Sequence, residues 1–373
     1  MNSQDELLHI IALPLLREVG QKRAHELIRF FGSASAVFSA SAADLARIPN
    51  ISRTAVESLL AERQAALRRA QQELDFINRH QIRCYFVDDD DYPYRLRECA
   101  DAPLLLYSKG NVDINKGKMV SVVGTRQPTE RGKERCRRFV LELVAKVPDV
   151  TIVSGLAYGI DVTSHRAALE AGVPTIIIPG HGLDRIYPAV NRQVAVSALQ
   201  NGGILTEFMS QTTPERPNFI ARNRIIAGLA DALVVVESKS RGGSLITAEM
   251  AFSYNRDVFA FAGRAEDEKS AGCNNLIKQQ KAMLIDNADD FVKAMQWDVK
   301  QSSPKQTELF VELSEQGQRL LSLLRQNEDG MHLNTILLEM KLSFTDVMSL
   351  LFELEMQGLI KALPGGFYRA VIG

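Results

Sequence analysis

The spacing of apolar positions divides the chain into three regimes. Residues 1–66 read as all-helical. "LLREVGQKRAHELIRFFG" and "ADLARIPNISRTAVESLL" each give an apolar helix, a tight turn and a second helix, with turns at Val19-Gly20 and Pro49-Asn50-Ile51. From 70 to 297 the pattern changes to short apolar runs alternating with helical stretches. The runs predict strands at Ile82–Val87, Leu104–Tyr107, Met119–Val123, Thr151–Ser154, Thr175–Ile178, Ile204–Thr206, Ala232–Val236, Val258–Phe261 and Met283–Ile285. Alternating strands and helices argue for a doubly wound, mostly parallel sheet. Ligands of such sheets bind beyond the carboxyl ends of the strands.

A polar stretch around Pro304, residues 298–306, reads as a linker. Residues 307–373 then give three helices and a hairpin through Pro364-Gly365-Gly366, the order of a winged helix. Its recognition-helix position, Phe344 to Gln357, carries Asp346, Glu353 and Glu355 and neither Lys nor Arg. Reading DNA normally needs cations there, so this module is expected to touch protein, its own chain, or nothing.

Four turns of the central region are rich in Gly, Ser and Thr: Val122–Pro128, Val153–Asp161, Ile178–Asn191 and "ESKSRGGSLITAE" from Glu237. Each follows a predicted strand, so a parallel sheet gathers them on one edge. Glycine lets main-chain N–H groups approach an anion, and helix N-termini add a favourable dipole. Together they predict a phosphate-binding rim, which either a nucleotide or a nucleic-acid backbone could occupy. Arg126 stands in the first turn, apart from the basic residues Arg131 to Arg138, whose helical stretch can be a solvated face. Arg222, Asn223 and Arg224 open another helix. The two arginines are two positions apart and cannot share its face. Ahead of them, Arg216 and Phe219 pair a cation with an aromatic, as single-stranded nucleic acid requires.

The usual nucleotide motifs are missing. There is no GxxxxGK[ST], and "GLAYGID" is not GxGxxG. No HxH or HExxH spacing, metal site or nucleophile–base pair is identifiable, so no cofactor is expected. His165 and His181 lie near the rim, each expected in a structural hydrogen bond. A formal net charge of −1 means that any nucleic-acid contact must be local. No apolar run approaches the ~20 residues of a membrane helix, and the first ten residues carry acids where a signal peptide carries Lys or Arg. The scattered Cys84, Cys99, Cys136 and Cys273 fit a reduced, cytoplasmic chain.

"VVGTR", "SGLAYGIDVTSHRAAL", "GLDRIYPAVN", "RNRIIAGLADALVVVES" and "GGSLITAEMA" together resemble the signature blocks of the DprA/Smf family, the DNA-processing proteins of natural transformation. The resemblance spans about Asp88 to Asp286. It implies an α/β fold: an extended Rossmann-like sheet between a helical, helix-hairpin-helix or SAM-like N-terminal domain and a winged-helix domain. It also implies a homodimer that binds single-stranded DNA without sequence preference and helps load the RecA recombinase, without catalysis or membrane contact. By resemblance, Gly124-Thr125-Arg126 forms the loop on the DNA phosphates. Ser154-Gly155 and Gly243-Ser244 form further main-chain cradles, Arg216 a basic contact and Phe219 a base contact. Gly180, Asn191, Arg192, Arg222, Asn223, Arg224 and Thr247 complete the expected DNA-binding set. Two other readings stay open. One is a Rossmann-like nucleoside monophosphate hydrolase with Glu249 and Arg224 as catalytic candidates; the other is a structural adaptor that recruits RecA.

Overall fold

The computed structural model describes residues 4–17, 19–49, 51–297, 313–327, 330–356, 359–363 and 365–371. Asn50, the 298–306 linker, residues 307–312, Gln357 and Pro364 lie outside the described residues. The chain divides into two compact units, Met1–Asp298 and Val299–Gly373.

The first unit opens with helices α1 (Gln4–Ala12), α2 (Gln21–Phe31), α3 (Ala34–Ser39), α4 (Ala42–Leu45) and α5 (Arg53–His80). Its sheet contains β1 (Arg83–Phe86), β2 (Leu105–Gly110), β3 (Lys118–Val123), β4 (Val150–Ser154), β5 (Thr175–Ile177), β6 (Gly202–Thr206), β7 (Ala232–Val235), β8 (Asp257–Phe261) and β9 (Met283–Ile285). Between them run α6 (Tyr94–Arg97), α7 (Glu130–Lys146), α8 (Ile160–Glu170), α9 (Arg192–Gln200), α10 (Arg216–Leu229), α11 (Gly243–Ser253) and α12 (Ala271–Lys278). Helix α13 (Ala288–Ala294) follows β9.

Among the described residues the strand order is β1-β2-β6-β5-β4-β3-β7-β8-β9. The seven strands from β6 to β9 in that order are parallel, and β2 and β1 add an antiparallel edge. Each predicted strand region is a strand. Burial on both faces explains why they read as continuous apolar runs. Along β3, Val120 and Val122 join Phe139, Phe259 and Phe291 in the core on one face. Met119 and Val123 point to the other face, with Ile225, Ile226, Ala248 and Ala251 of α10 and α11.

The chain steps outward from β3 through β4, β5 and β6, then returns to β3's other side with β7. The carboxyl ends of β3 and β7 therefore flank the topological switch point, where an open α/β sheet leaves a crevice.

The expected break between residues 66 and 70 falls inside α5, which runs unbroken from Arg53 to His80. Leu7, Leu27 and Leu59 of the helices share one buried cluster with Leu106 and Leu233 of the sheet. Glu73 of α5 is buried and accepts from the Ser210 N–H at 2.8 Å and from Arg69 at 3.0 Å. Those bonds satisfy the carboxylate that α5 carries into the interface.

The second unit holds α14 (Glu315–Arg325), β10 (Met331–His332), α15 (Leu333–Met340), α16 (Phe344–Met356), β11 (Ile360–Leu363) and β12 (Phe367–Ala370), with sheet order β10-β12-β11. Three helices and a wing around Leu320, Ile336, Val347 and Leu354 make a winged helix.

Candidate functional site

A cavity of about 930 Å³ opens at the switch point. Its walls are the β3 turn (Gly124, Thr125, Arg126), the start of α10 (Arg216, Phe219, Arg222, Asn223) and the β7 turn with α11 (Ser238 to Thr247). Asp161 and Ala157 close its floor.

One buried acid sets the β3 turn. Glu237, just past β7, receives the Thr129 N–H at 2.9 Å and the Thr129 hydroxyl at 2.6 Å, while its own carbonyl receives the Thr125 N–H at 2.8 Å. The same Thr129 hydroxyl caps α7 by accepting from the Gly132 N–H at 2.9 Å. The turn is tied down at both ends, and Arg126 is left exposed at its tip. The Arg126 guanidinium lies 5.5 Å from the Phe219 ring centroid, within cation–π range. Gly159 fits beneath this turn with φ +80, and a Cβ there would overlap the Thr125 carbonyl.

Behind the rim, Arg222 is buried. It donates to the Gly155 carbonyl at 2.8 Å, to the Ile178 carbonyl and to Asn223 at 3.0 Å. Burial pulls its pKa down to about 10, against the attraction of Asp161. Burial likewise raises the Asp161 carboxyl, opposed by Arg222 and by the Ala157 N–H. Arg222 thus braces the ends of β4 and β5 from inside. Gly155 is required there, because a Cβ would collide with that guanidinium.

The Ser244 and Thr247 hydroxyls are already engaged. Ser244 donates to the Ser238 hydroxyl at 3.0 Å and Thr247 to the Gly243 carbonyl at 3.1 Å. The start of α11 and several arginines line the cavity beside them. Arg126, Arg216 and Arg241 are exposed and form no ion pair among the described residues. Lys239 pairs with Glu268 at 2.9 Å. Lys239 and Arg241 were absent from the expected set, although the strand-to-helix turn "ESKSRGGS" that holds them marked the place.

The cavity brings together Gly124, Thr125, Arg126, Arg216, Phe219, Arg222, Asn223, Gly243, Ser244 and Thr247. Other expected residues lie outside its lining. The Ser154 hydroxyl bonds the Val122 carbonyl at 2.6 Å, joining β4 to β3. Asn191 donates to the Leu156 carbonyl at 2.9 Å. Gly180 sits against Phe219, where a Cβ would come within 2.7 Å of the ring. Arg192 is exposed at the start of α9. Arg224 turns away to pair with the buried Glu207.

Both rim histidines make structural bonds. The His165 Nδ1 bonds the Thr175 hydroxyl at 2.7 Å, and burial takes the ring's pKa to about 3. The His181 Nδ1 donates to the Gly182 carbonyl at 2.8 Å while its Nε2 accepts the Tyr187 N–H at 3.2 Å, and burial lowers its pKa too. On α7, Arg137 pairs with Glu170, and Arg135 lies over Phe261 at 5.4 Å and donates to the Ala262 carbonyl. Most of that basic run is therefore occupied within the fold. No cluster able to hold a metal ion occurs among the described residues.

An arginine-lined crevice of about 930 Å³ at the switch point of a doubly wound sheet is where proteins of the Rossmann type place their ligands. Residues 83–296, more than half of the chain, match the family described as DNA recombination-mediator protein A, and residues 304–366 match the DprA winged helix domain. The DNA processing protein DprA of Streptococcus pneumoniae is 42% identical over 206 residues, 55% of this chain and 72% of that protein. Its X-ray structure superposes with a TM-score of 0.65 at 33% identity, covering 79% of this chain and 98% of that one. A Helicobacter pylori structure, described as showing the single-stranded DNA binding mode of DNA processing protein A, gives a TM-score of 0.53 at 29% identity, covering 58% and 97%. The chain belongs to the DprA/Smf family of DNA-processing proteins.

Proposed function

We propose that this chain binds single-stranded DNA along the carboxyl edge of its sheet, protects incoming strands and loads the RecA recombinase onto them in natural transformation and recombination. The observation that carries this reading is the cavity's composition: Arg126, Arg216 and Arg241, without an ion pair among the described residues, line it together with Phe219 and the start of α11. Arginine and backbone hold phosphates of any sequence, and an aromatic face stacks any base. The H. pylori relative, described by its single-strand binding mode, supports the same ligand.

The protein acts in this reading as a homodimer without catalysis. Edge strand β9 exposes Met283 and Leu284, an apolar edge suited to a second chain. Glu249 and Arg224, the catalytic pair of a hydrolase reading, do not face each other. Glu249 pairs with Lys281 at 2.7 Å and Arg224 with Glu207. The winged helix is a protein-contact module here, since α16 lacks cations and exposes Phe344, Phe352 and Met356. A cytoplasmic setting goes with the four free, buried cysteines.

Titration with labelled oligo-dT and, separately, with AMP tests the reading. Tight oligo-dT binding with no release of ribose phosphate from AMP is expected. Turnover of AMP that Glu249→Gln abolishes would transfer the site to the hydrolase class.

A further inference from the structure

Two strand-end turns and one helix start bring aromatic side chains to the carboxyl edge. Tyr158 follows β4 and is 50% exposed, Tyr187 follows β5 and is 47% exposed, and Phe219 opens α10. Of the two tyrosines, Tyr187 meets Phe219: their ring centroids are 5.9 Å apart at an interplanar angle of 32°. Arg126 covers Phe219 at 5.5 Å and Arg222 lies 6.0 Å from it. Cation, ring and second ring thus form one continuous path. It leads from the β3 turn towards β5, along the edge of the sheet.

The backbone carrying Tyr187 is held on both sides. Its N–H is fixed by His181. On the other side, the carbonyl of the next residue, Pro188, accepts from the Asn191 N–H at 3.0 Å, and Asn191 is itself anchored to Leu156. Ile186, the preceding residue, packs on a buried cluster. A large aromatic left half in water on a backbone this constrained is a pre-organised surface, which costs little entropy to occupy. Phe219 alone offers one stacking position. Offset ring pairs at 4.5–7 Å make a surface that continues from one ring to the next.

We propose that Tyr187 is a second base-stacking residue, which takes the nucleotide next to the one on Phe219 and so directs the strand from the cavity across the ends of β4 and β5. This rests on the single-strand reading above. It adds Tyr187, which lies in one of the four Gly-rich turns but was not in the expected DNA-binding set.

The test uses the full chain and oligo-dT carrying one 5-iododeoxyuridine at successive positions. Irradiation crosslinks an iodinated base to an aromatic ring stacked on it, and mass spectrometry identifies the residue. The expected result is crosslinks to Phe219 and Tyr187 from neighbouring nucleotides. In parallel, Tyr187→Ala should weaken oligo-dT binding by about 5- to 100-fold, the range of one lost stacked base. Tyr187→Phe should keep wild-type affinity, because the π-face is retained. Tyr158→Ala, equally exposed but off the path, should also bind as wild type. A crosslink to Phe219 with none to Tyr187, or a Tyr187→Ala protein that binds as wild type, overturns the inference and leaves the single-strand reading standing. Equal losses from Tyr158→Ala and Tyr187→Ala overturn the path. Absence of oligo-dT binding by the wild-type chain removes the single-strand reading and the inference with it.

Discussion

Gly243→Ala separates a glycine kept for the fold from a glycine kept for a ligand. Gly243 is the first residue of α11 and lines the cavity. A Cβ built there meets nothing within 4 Å, and the backbone is not in the left-handed region. The fold therefore loses nothing to the methyl group. Alanine also narrows the unfolded ensemble and favours helix, which should raise stability by about 0.4–1 kcal/mol. In the proposed site, a phosphate seated on the first N–H groups of α11 uses that same empty space. A methyl group there displaces it and breaks a charge-assisted hydrogen bond worth about 1.5–3 kcal/mol. Affinity for single strands should fall by about 10- to 100-fold. Guanidinium titration measures the first quantity and fluorescence anisotropy of labelled oligo-dT the second. A variant at least as stable as wild type that binds oligo-dT just as tightly would show that the β7 turn does not seat the phosphate.

Two further outcomes follow from the same structure. Residues 1–306 contain the whole first compact unit and should bind oligo-dT like the full chain, because α16 presents acids and apolar residues without a cation. A tenfold loss, about 1.4 kcal/mol, in a folded and equally dimeric truncation would give the winged helix a DNA contact. His165 is neutral in the fold with a pKa of about 3, against 6.5 when exposed. A depressed base contributes stability above pH 6.5 that is lost as pH falls towards 3, at about 1.4 kcal/mol per unit. The guanidinium midpoint should drop between pH 7 and pH 4.5, and more steeply in wild type than in His165→Gln; equal slopes would exclude His165 as a cause.

The sheet was legible because its strands are buried on both faces and punctuated by glycine turns. Runs such as "ALVVV" leave little else for the chain to do. The end of the helical region was not. The charged stretch "ERQAALRRAQQELDF" continues α5, and part of what fastens it to the sheet is a carboxylate, Glu73, whose partner Ser210 is far away in sequence. The turns that build the site could be read one by one, since each follows a strand. The fate of each cation could not. Arg222 and Arg224 look alike in "ARNR", yet one braces carbonyls of the β4 and β5 turns and the other neutralises Glu207. Those partners come from turns brought near only by the fold. Arg126, in the turn after β3, and Arg216, at the start of α10, were in the expected set, and both are exposed at the cavity; Arg241, also exposed there in the turn ahead of α11, was not in that set.

The central claim is that arginines at the switch point hold a single-stranded DNA backbone. Its most direct test is the salt dependence of oligo-dT affinity for wild type and Arg126→Ala, measured on protein shown to be folded. Arg126 is exposed at the tip of a turn anchored by Glu237 and Thr129, so its removal should leave the fold intact. Losing one phosphate contact should weaken binding and make the slope of log K against log salt shallower by about 0.7. An unchanged affinity and an unchanged slope would contradict the account, because the most exposed cation of the β3 turn would then touch no phosphate.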